Sequence, residues 1–224
     1  MNAAGLFARG YAWLGLAGGL AAMLAMAIPA FLYAGRTAER YSPFNHFVSE
    51  LGEIGISRSA SVFNAGLILS GLLLFPFVTG LGLAVPGLAA KAGMVFGWSA
   101  SLACAAIGFY PMNRLKPHLL AAVVFFDCSL AAVFLFTLSY WLQPPGVELV
   151  PRGLAAVGLL SLAFQILFFF GGLRIPVGTD GETFMRMDPT RPRPAFWRLP
   201  IMEWLAVLSI IVWYLSTALA LLWH

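Results

Sequence analysis

Charge is scarce in this chain: acidic and basic residues make up 10% of its 224 positions, where ordinary globular domains carry about 25%. Cysteine is scarcer still, with two residues, Cys104 and Cys128. Both lie in apolar surroundings, which excludes a disulfide framework. They read as inert buried thiols, because thiol chemistry needs exposure and a lowered pKa. There are three histidines, but no HxxxH, HExxH, CxxC or GxSxG spacing, so the familiar templates for a metal centre or a serine hydrolase are missing. The net charge of +4 comes from basic residues scattered over short loops. That is the pattern of a polytopic membrane protein and gives no support for nucleic-acid binding.

What the chain does have is apolar length. Hydrophobic residues account for 61% of it and the mean hydropathy is +0.88. This content falls into runs at about 10–33, 60–83, 92–109, 118–142, 154–173 and 201–223, each near the roughly 20 residues that cross a bilayer as a helix. Helix is the expected form, since lipid leaves an isolated apolar segment no other way to satisfy its backbone. The first run is well beyond the ~7–15 apolar residues of a secretory signal, so it reads as an uncleaved span. Its small residues Gly15, Gly18, Gly19, Ala22 and Ala25 form a close-packing stripe, and Pro29 is a place for a kink. The expected architecture is all-α: a single integral membrane domain over 1–224, with six transmembrane helices and a short amphipathic helix after the first.

That short helix belongs to a polar hub, Tyr41 to Ser59 (YSPFNHFVSELGEIGISRS). Ser42 followed by Pro43 is a helix-start signal. From there His46, Ser49, Glu50 and Glu53 recur at spacings of three and four and share one face. Phe47, Leu51 and Ile54 make the apolar face, and Gly52 and Gly55 offer stops. The helix is too short to span, so it is expected to lie at the membrane surface or to dip into a protein-lined cavity.

Six spans put the first, third and fifth loops on one side with ten of the basic residues, against Arg9, Lys91 and Arg152 on the other. The positive-inside rule then makes the hub cytoplasmic and places both termini outside. The longest loop, Arg174 to Pro200, carries the turn signals Asp180-Gly181, Asp188-Pro189 and Arg191-Pro-Arg-Pro.

Ionisable and polar groups within spans are costly and are candidates for function. Beyond the hub they are Asn64, His118, Asp127 and Glu203, with Gln165 a lesser fifth. By the topology His118 opens the fourth span on the hub's side, where it either bonds a loop carbonyl or meets His46 and Glu50. Asp127, nine residues on, is half a turn round the helix and about 13 Å deeper, so it needs its own partner or a proton. Glu203 complements a helix N-terminus or joins the same site. Asn64 reads as interhelical hydrogen-bonding glue. Ser49 with His46 hints at a nucleophile and base, and a haem between His46 and His118 rests on count alone; neither has a supporting motif.

The order Ser49-Glu50-Leu51-Gly52, Phe63-Asn64, Gly71, Gly108-Phe109-Tyr110-Pro111, His118 and Glu203 resembles a family of six-span prokaryotic membrane proteins known as domain of unknown function 998. More distantly, the layout is similar to the damage-regulated autophagy modulator (DRAM) family, in which an Asp tends to stand where Glu50 is. That wider likeness implies a lipid-facing role, and it draws the hub's loop on the non-cytoplasmic side, opposite to the charge count. The resemblance implies a prokaryotic inner membrane and no known reaction.

The expected function is therefore non-enzymatic: binding of membrane lipid, or service as a subunit of a membrane protein assembly. The ligand-binding residues would be His46, Ser49, Glu50, Asn64, His118 and Glu203, with no catalytic residue, metal or cofactor assigned. The rival is a metal-dependent intramembrane lipid hydrolase using His46, His118 and a carboxylate. Transport has no inverted repeat to support it.

Overall fold

The computed structural model describes residues 3–35, 38–146, 148–173 and 193–223. Among them the long elements are helices: α1 Ala3–Leu32, α2 Ala60–Ala84, α3 Leu88–Phe109, α4 Leu115–Trp141, α5 Leu154–Phe168 and α6 Arg198–Trp223. All six contain stretches long and apolar enough to cross a membrane, and no strand occurs among the described residues. The chain is an all-helical integral membrane protein, as its hydropathy predicts.

Four helices, α1, α3, α4 and α6, begin earlier than the apolar runs do, because opening turns need not be apolar. Pro117 and Pro200 sit in the first turns of α4 and α6, where no intrahelical N–H is required. At α3 the turn is made by Gly87, at φ +100°. Lys91, whose charge marks the edge of the apolar run, turns its ammonium back onto the carbonyls of Gly82 and Leu83. It thereby satisfies acceptors that the end of α2 leaves open. α5 runs out through a π-helical turn, Phe169–Leu173, and α1 continues through Pro29 to Leu32.

The small residues of α1 do what their stripe predicts. A side chain at Gly15 would collide with Phe77, at Gly18 with Leu74 and at Gly19 with Leu215, while Ala25 meets Gly66. On its other face α2 approaches α3 so closely that a Cβ at Gly71 would strike the Ser101 carbonyl, and one at Gly108 the Asn64 carbonyl. Such backbone contact is how helices gain packing energy in lipid, where the hydrophobic effect offers none between spans.

Two cores result. The half of the bundle away from the hub is filled by aromatic rings: Trp213 stacks on Tyr140 at 6.4 Å and also packs against Phe136 and Tyr214. In the loop that closes this end, the Gln143 amide donates to the Tyr140 and Val150 carbonyls and accepts from the Leu149 and Val150 N–H groups. The hub half has a separate cluster around Met26, Leu51, Phe63 and Cys104, and it is less completely filled.

Candidate functional site

The hub folds differently from the helix its spacing predicts. Ser42 starts a single turn, its carbonyl accepting from the Asn45 and His46 N–H groups. The backbone then extends at Phe47 and resumes only as a five-residue 3-10 helix, Val48–Gly52. The reason is competition for backbone donors. The Phe47 N–H goes to Glu50 Oε1 at 2.8 Å and the Val48 N–H to Glu203 Oε2 at 2.8 Å. Two carboxylates thus hold the donors that a continuous helix would direct at its own carbonyls. Val48, Glu50, Leu51 and Gly52 are buried, so the hub dips into the protein.

Three loops meet there. Asn113, in the α3–α4 turn, exchanges hydrogen bonds with the backbone of Ile54 in both directions. The segment entering α6 joins through Trp197 N–H to the Phe44 carbonyl at 2.8 Å and Asn45 Nδ2 to the Pro194 carbonyl at 3.0 Å. Trp204 Nε1 donates to the Tyr41 hydroxyl at 3.0 Å. At the centre Arg193 clasps Glu50 with both arms, at 3.0 and 2.7 Å, and also bonds the Asn45 carbonyl. Glu50 is 1% exposed. Burial raises its pKa, and the guanidinium opposes that shift by stabilising the ionised form.

His46 is 2% exposed and lies between the rings of Tyr33 and Tyr41. Because Asn45 Nδ2 is committed to Pro194, its Oδ1 faces His46 Nδ1 at 2.7 Å. Nδ1 therefore carries the proton, and Nε2 is buried with no partner among the described residues. Burial, followed by the charge of Arg193, lowers the His46 pKa to about 4. This histidine is a neutral structural group at physiological pH.

The six residues singled out from sequence divide into two sets. His46 and Glu50 belong to the hub's internal network. Asn64 ties α2 to the hub, with Nδ2 donating to the Gly52 carbonyl at 3.0 Å; it bonds a loop instead of another span. Ser49, His118 and Glu203 line a cavity of about 80 Å³ enclosed by α1, α2, α3, α4 and α6. Its other walls are mainly apolar, among them Met26, Leu67, Phe125 and Ile210. His118 also bonds a loop carbonyl: its Nδ1 contacts the Tyr110 carbonyl at 2.8 Å, which leaves Nε2 as the lone-pair nitrogen. His46 is not among the cavity's lining residues, and no group of three His, Cys, Asp or Glu among the described residues is placed to hold a metal ion.

The chemistry of the cavity's polar end is one-sided. Among the described residues Glu203 accepts one hydrogen bond, from Val48, and no lysine or arginine lines the space. Ionised, as an ammonium ligand would make it, Glu203 has acceptor capacity to spare, and the His118 lone pair adds more. Ser49 donates weakly to Met112 Sδ at 3.8 Å. The arrangement suits a ligand that brings donors.

Gln165 bonds Ser161, which contacts Ser209 at 3.2 Å, so it is glue between α5 and α6. Asp127 lies exposed on α4, away from this cavity. Arg193 is the residue that sequence reading undervalues. It stands between Pro192 and Pro194, a context that fixes an extended backbone, and neither its charge nor the Arg-Pro-Arg-Pro signal points to Glu50. The turn signals Asp180-Gly181 and Asp188-Pro189 lie outside the described residues.

A family model described as "Protein of unknown function (DUF998)" matches residues 16–220. No curated protein and no solved structure matches. The match covers most of the chain, and the chain belongs to that family.

Proposed function

With membership of that family as the premise, we propose that the protein binds an amphiphilic membrane lipid in the cavity beneath the hub. The observation that carries this reading is a mainly apolar cavity between five spans, lined on the hub side by Ser49, His118 and Glu203 and on α2 by Ser70. Small-molecule sites have this pattern of mainly apolar walls and a few convergent polar groups. A volume of about 80 Å³ takes part of an amphiphile, with the remainder among the surrounding spans. The surplus of acceptors favours a polar end that donates, such as an ammonium or hydroxyl group, over a phosphate. His46, Glu50 and Asn64 act one step removed by holding the hub in place. The excess of Lys and Arg in the first, third and fifth loops puts this end in the cytoplasm, and the prokaryotic inner membrane is the setting the family resemblance suggests.

The test is mass spectrometry of lipid that stays with the purified protein, wild type beside Ala122→Phe, which fills the cavity from α4. A stoichiometric amphiphile present in the wild type and lost from a folded variant is the expected result. Equal retention by both would place the lipid elsewhere and end this reading. Release of cleaved lipid by the wild type would favour the hydrolase instead.

A further inference from the structure

Asp127 stands at the middle of α4, about 18 Å from one end of the helix and about 21 Å from the other at 1.5 Å per residue. A hydrocarbon core is about 30 Å thick, so this carboxyl group is near the bilayer midplane. It is exposed, on the span with the smallest share of its surface covered by the rest of the chain. No hydrogen bond or ion pair reaches it from the described residues. The face around it is apolar and open, with Leu120, Val124, Phe134 and Leu138 all exposed. Steps of four and three residues relate these positions to Asp127 and to the small Ala131, the spacing of a helix-packing seam. Ionisable groups in spans otherwise face the bundle interior or a water-filled path. Asp127 faces neither, so as a carboxylate it needs a complement from outside the described residues.

A second copy would bring another carboxyl group to this face and no cation, so it would complement Asp127 only where the pair shares a proton. The basic residues within the six spans, Lys91, Lys116 and Arg198, all stand in first turns, far from the midplane. We propose that the Asp127 face of α4 docks a transmembrane helix of a different protein that carries a lysine or arginine at its own midspan. The two charges meet out of water, and Ala131 lets the helices approach closely.

The experiment uses the full chain, donor-labelled, in phosphatidylcholine vesicles with acceptor-labelled poly-leucine transmembrane peptides that differ only at one central residue. Energy transfer to the central-lysine peptide is expected to show association about tenfold tighter than for the all-leucine or central-glutamate peptide. Asp127→Asn and Asp127→Leu should abolish that preference without lowering the chain's own Tm, since Asp127 has no hydrogen-bond or ion-pair partner among the described residues. Indifference to the central residue, or a preference that survives Asp127→Leu, would overturn the proposal. So would self-association of the chain that depends on Asp127, which would make a second copy the partner. A fall in Tm on Asp127→Leu would show that the group has a role inside the fold instead.

Discussion

At the end away from the hub, Lys91 turns back onto the carbonyls of α2, the Gln143 amide pins its own loop, and aromatic rings fill the core behind them. At the hub end, three loops are stitched together by a buried Glu50–Arg193 pair, a neutral buried histidine and Glu203 reaching up to the Val48 N–H, over a core that leaves a cavity. Both ends solve the same problem, the satisfaction of backbone groups where helices stop. The far end does it mainly with neutral amides and two half-buried cations, Lys91 and Arg152. The hub end uses buried charge, which needs a partner in place to be tolerated. Stability at the hub end therefore depends on a few specific pairs.

The largest effect should come from separating the hub's ion pair. Arg193→Met leaves Glu50 buried without its partner and should cost about 3–5 kcal/mol in thermal or denaturant unfolding in detergent. Glu148→Gln, at the other end, breaks a half-exposed pair with Arg152 and should cost less than about 1 kcal/mol. Similar losses at the two sites would erase the distinction between the ends.

Next is Gly52→Ala. Its Cβ would sit 2.5 Å from Asn64 Oδ1 and 2.6 Å from Phe63, an overpacking expected to cost about 1–3 kcal/mol. Gly153→Ala, with open space around the site, should change stability by less than about 0.5 kcal/mol. Comparing the two Tm shifts checks this.

Acid should weaken the hub end through His46. Its folded pKa of about 4 lies below the ordinary 6.5, so the unfolded chain takes up the proton first. The stabilising contribution is complete above pH 6.5 and is lost as pH falls toward 4, reaching about 2 kcal/mol of loss at pH 5. Glu50 has the opposite sign, because its raised pKa favours the folded state on acidification. The His46 share is therefore the difference between wild type and His46→Gln. A variant with the same pH profile as wild type would remove His46 from the account.

The smallest effect is Lys91→Met, which uncaps α2 and should lower stability by about 0.3–1 kcal/mol. The loss should shrink in high salt.

The spans were legible in the sequence because bilayer physics constrains them so tightly: length, hydropathy and the small-residue stripe of α1 all follow from it. Helix starts were less legible, since residues such as Pro117, Pro200 and Lys91 are tolerated or useful in first turns although they interrupt the apolar run. The candidate site was half legible. Ser49 in the hub and His118 and Glu203 at the starts of spans are polar groups on one side, and topology alone brings them together. The division between those three and His46, Glu50 and Asn64 was not legible. It depends on Arg193, about 140 residues away in sequence, and on tertiary carboxylates that take the hub's N–H groups and keep it from being one helix.

The most direct test of the central claim compares head groups on one apolar chain. Dodecylamine and dodecyl phosphate would be titrated against the amphipol-held protein, wild type beside Glu203→Gln. The amine should bind the wild type about tenfold more tightly than the phosphate, a difference of about 1.4 kcal/mol, and the preference should vanish in Glu203→Gln. Equal binding of the two, or tighter binding of the phosphate, would contradict an acceptor-lined lipid site beneath the hub.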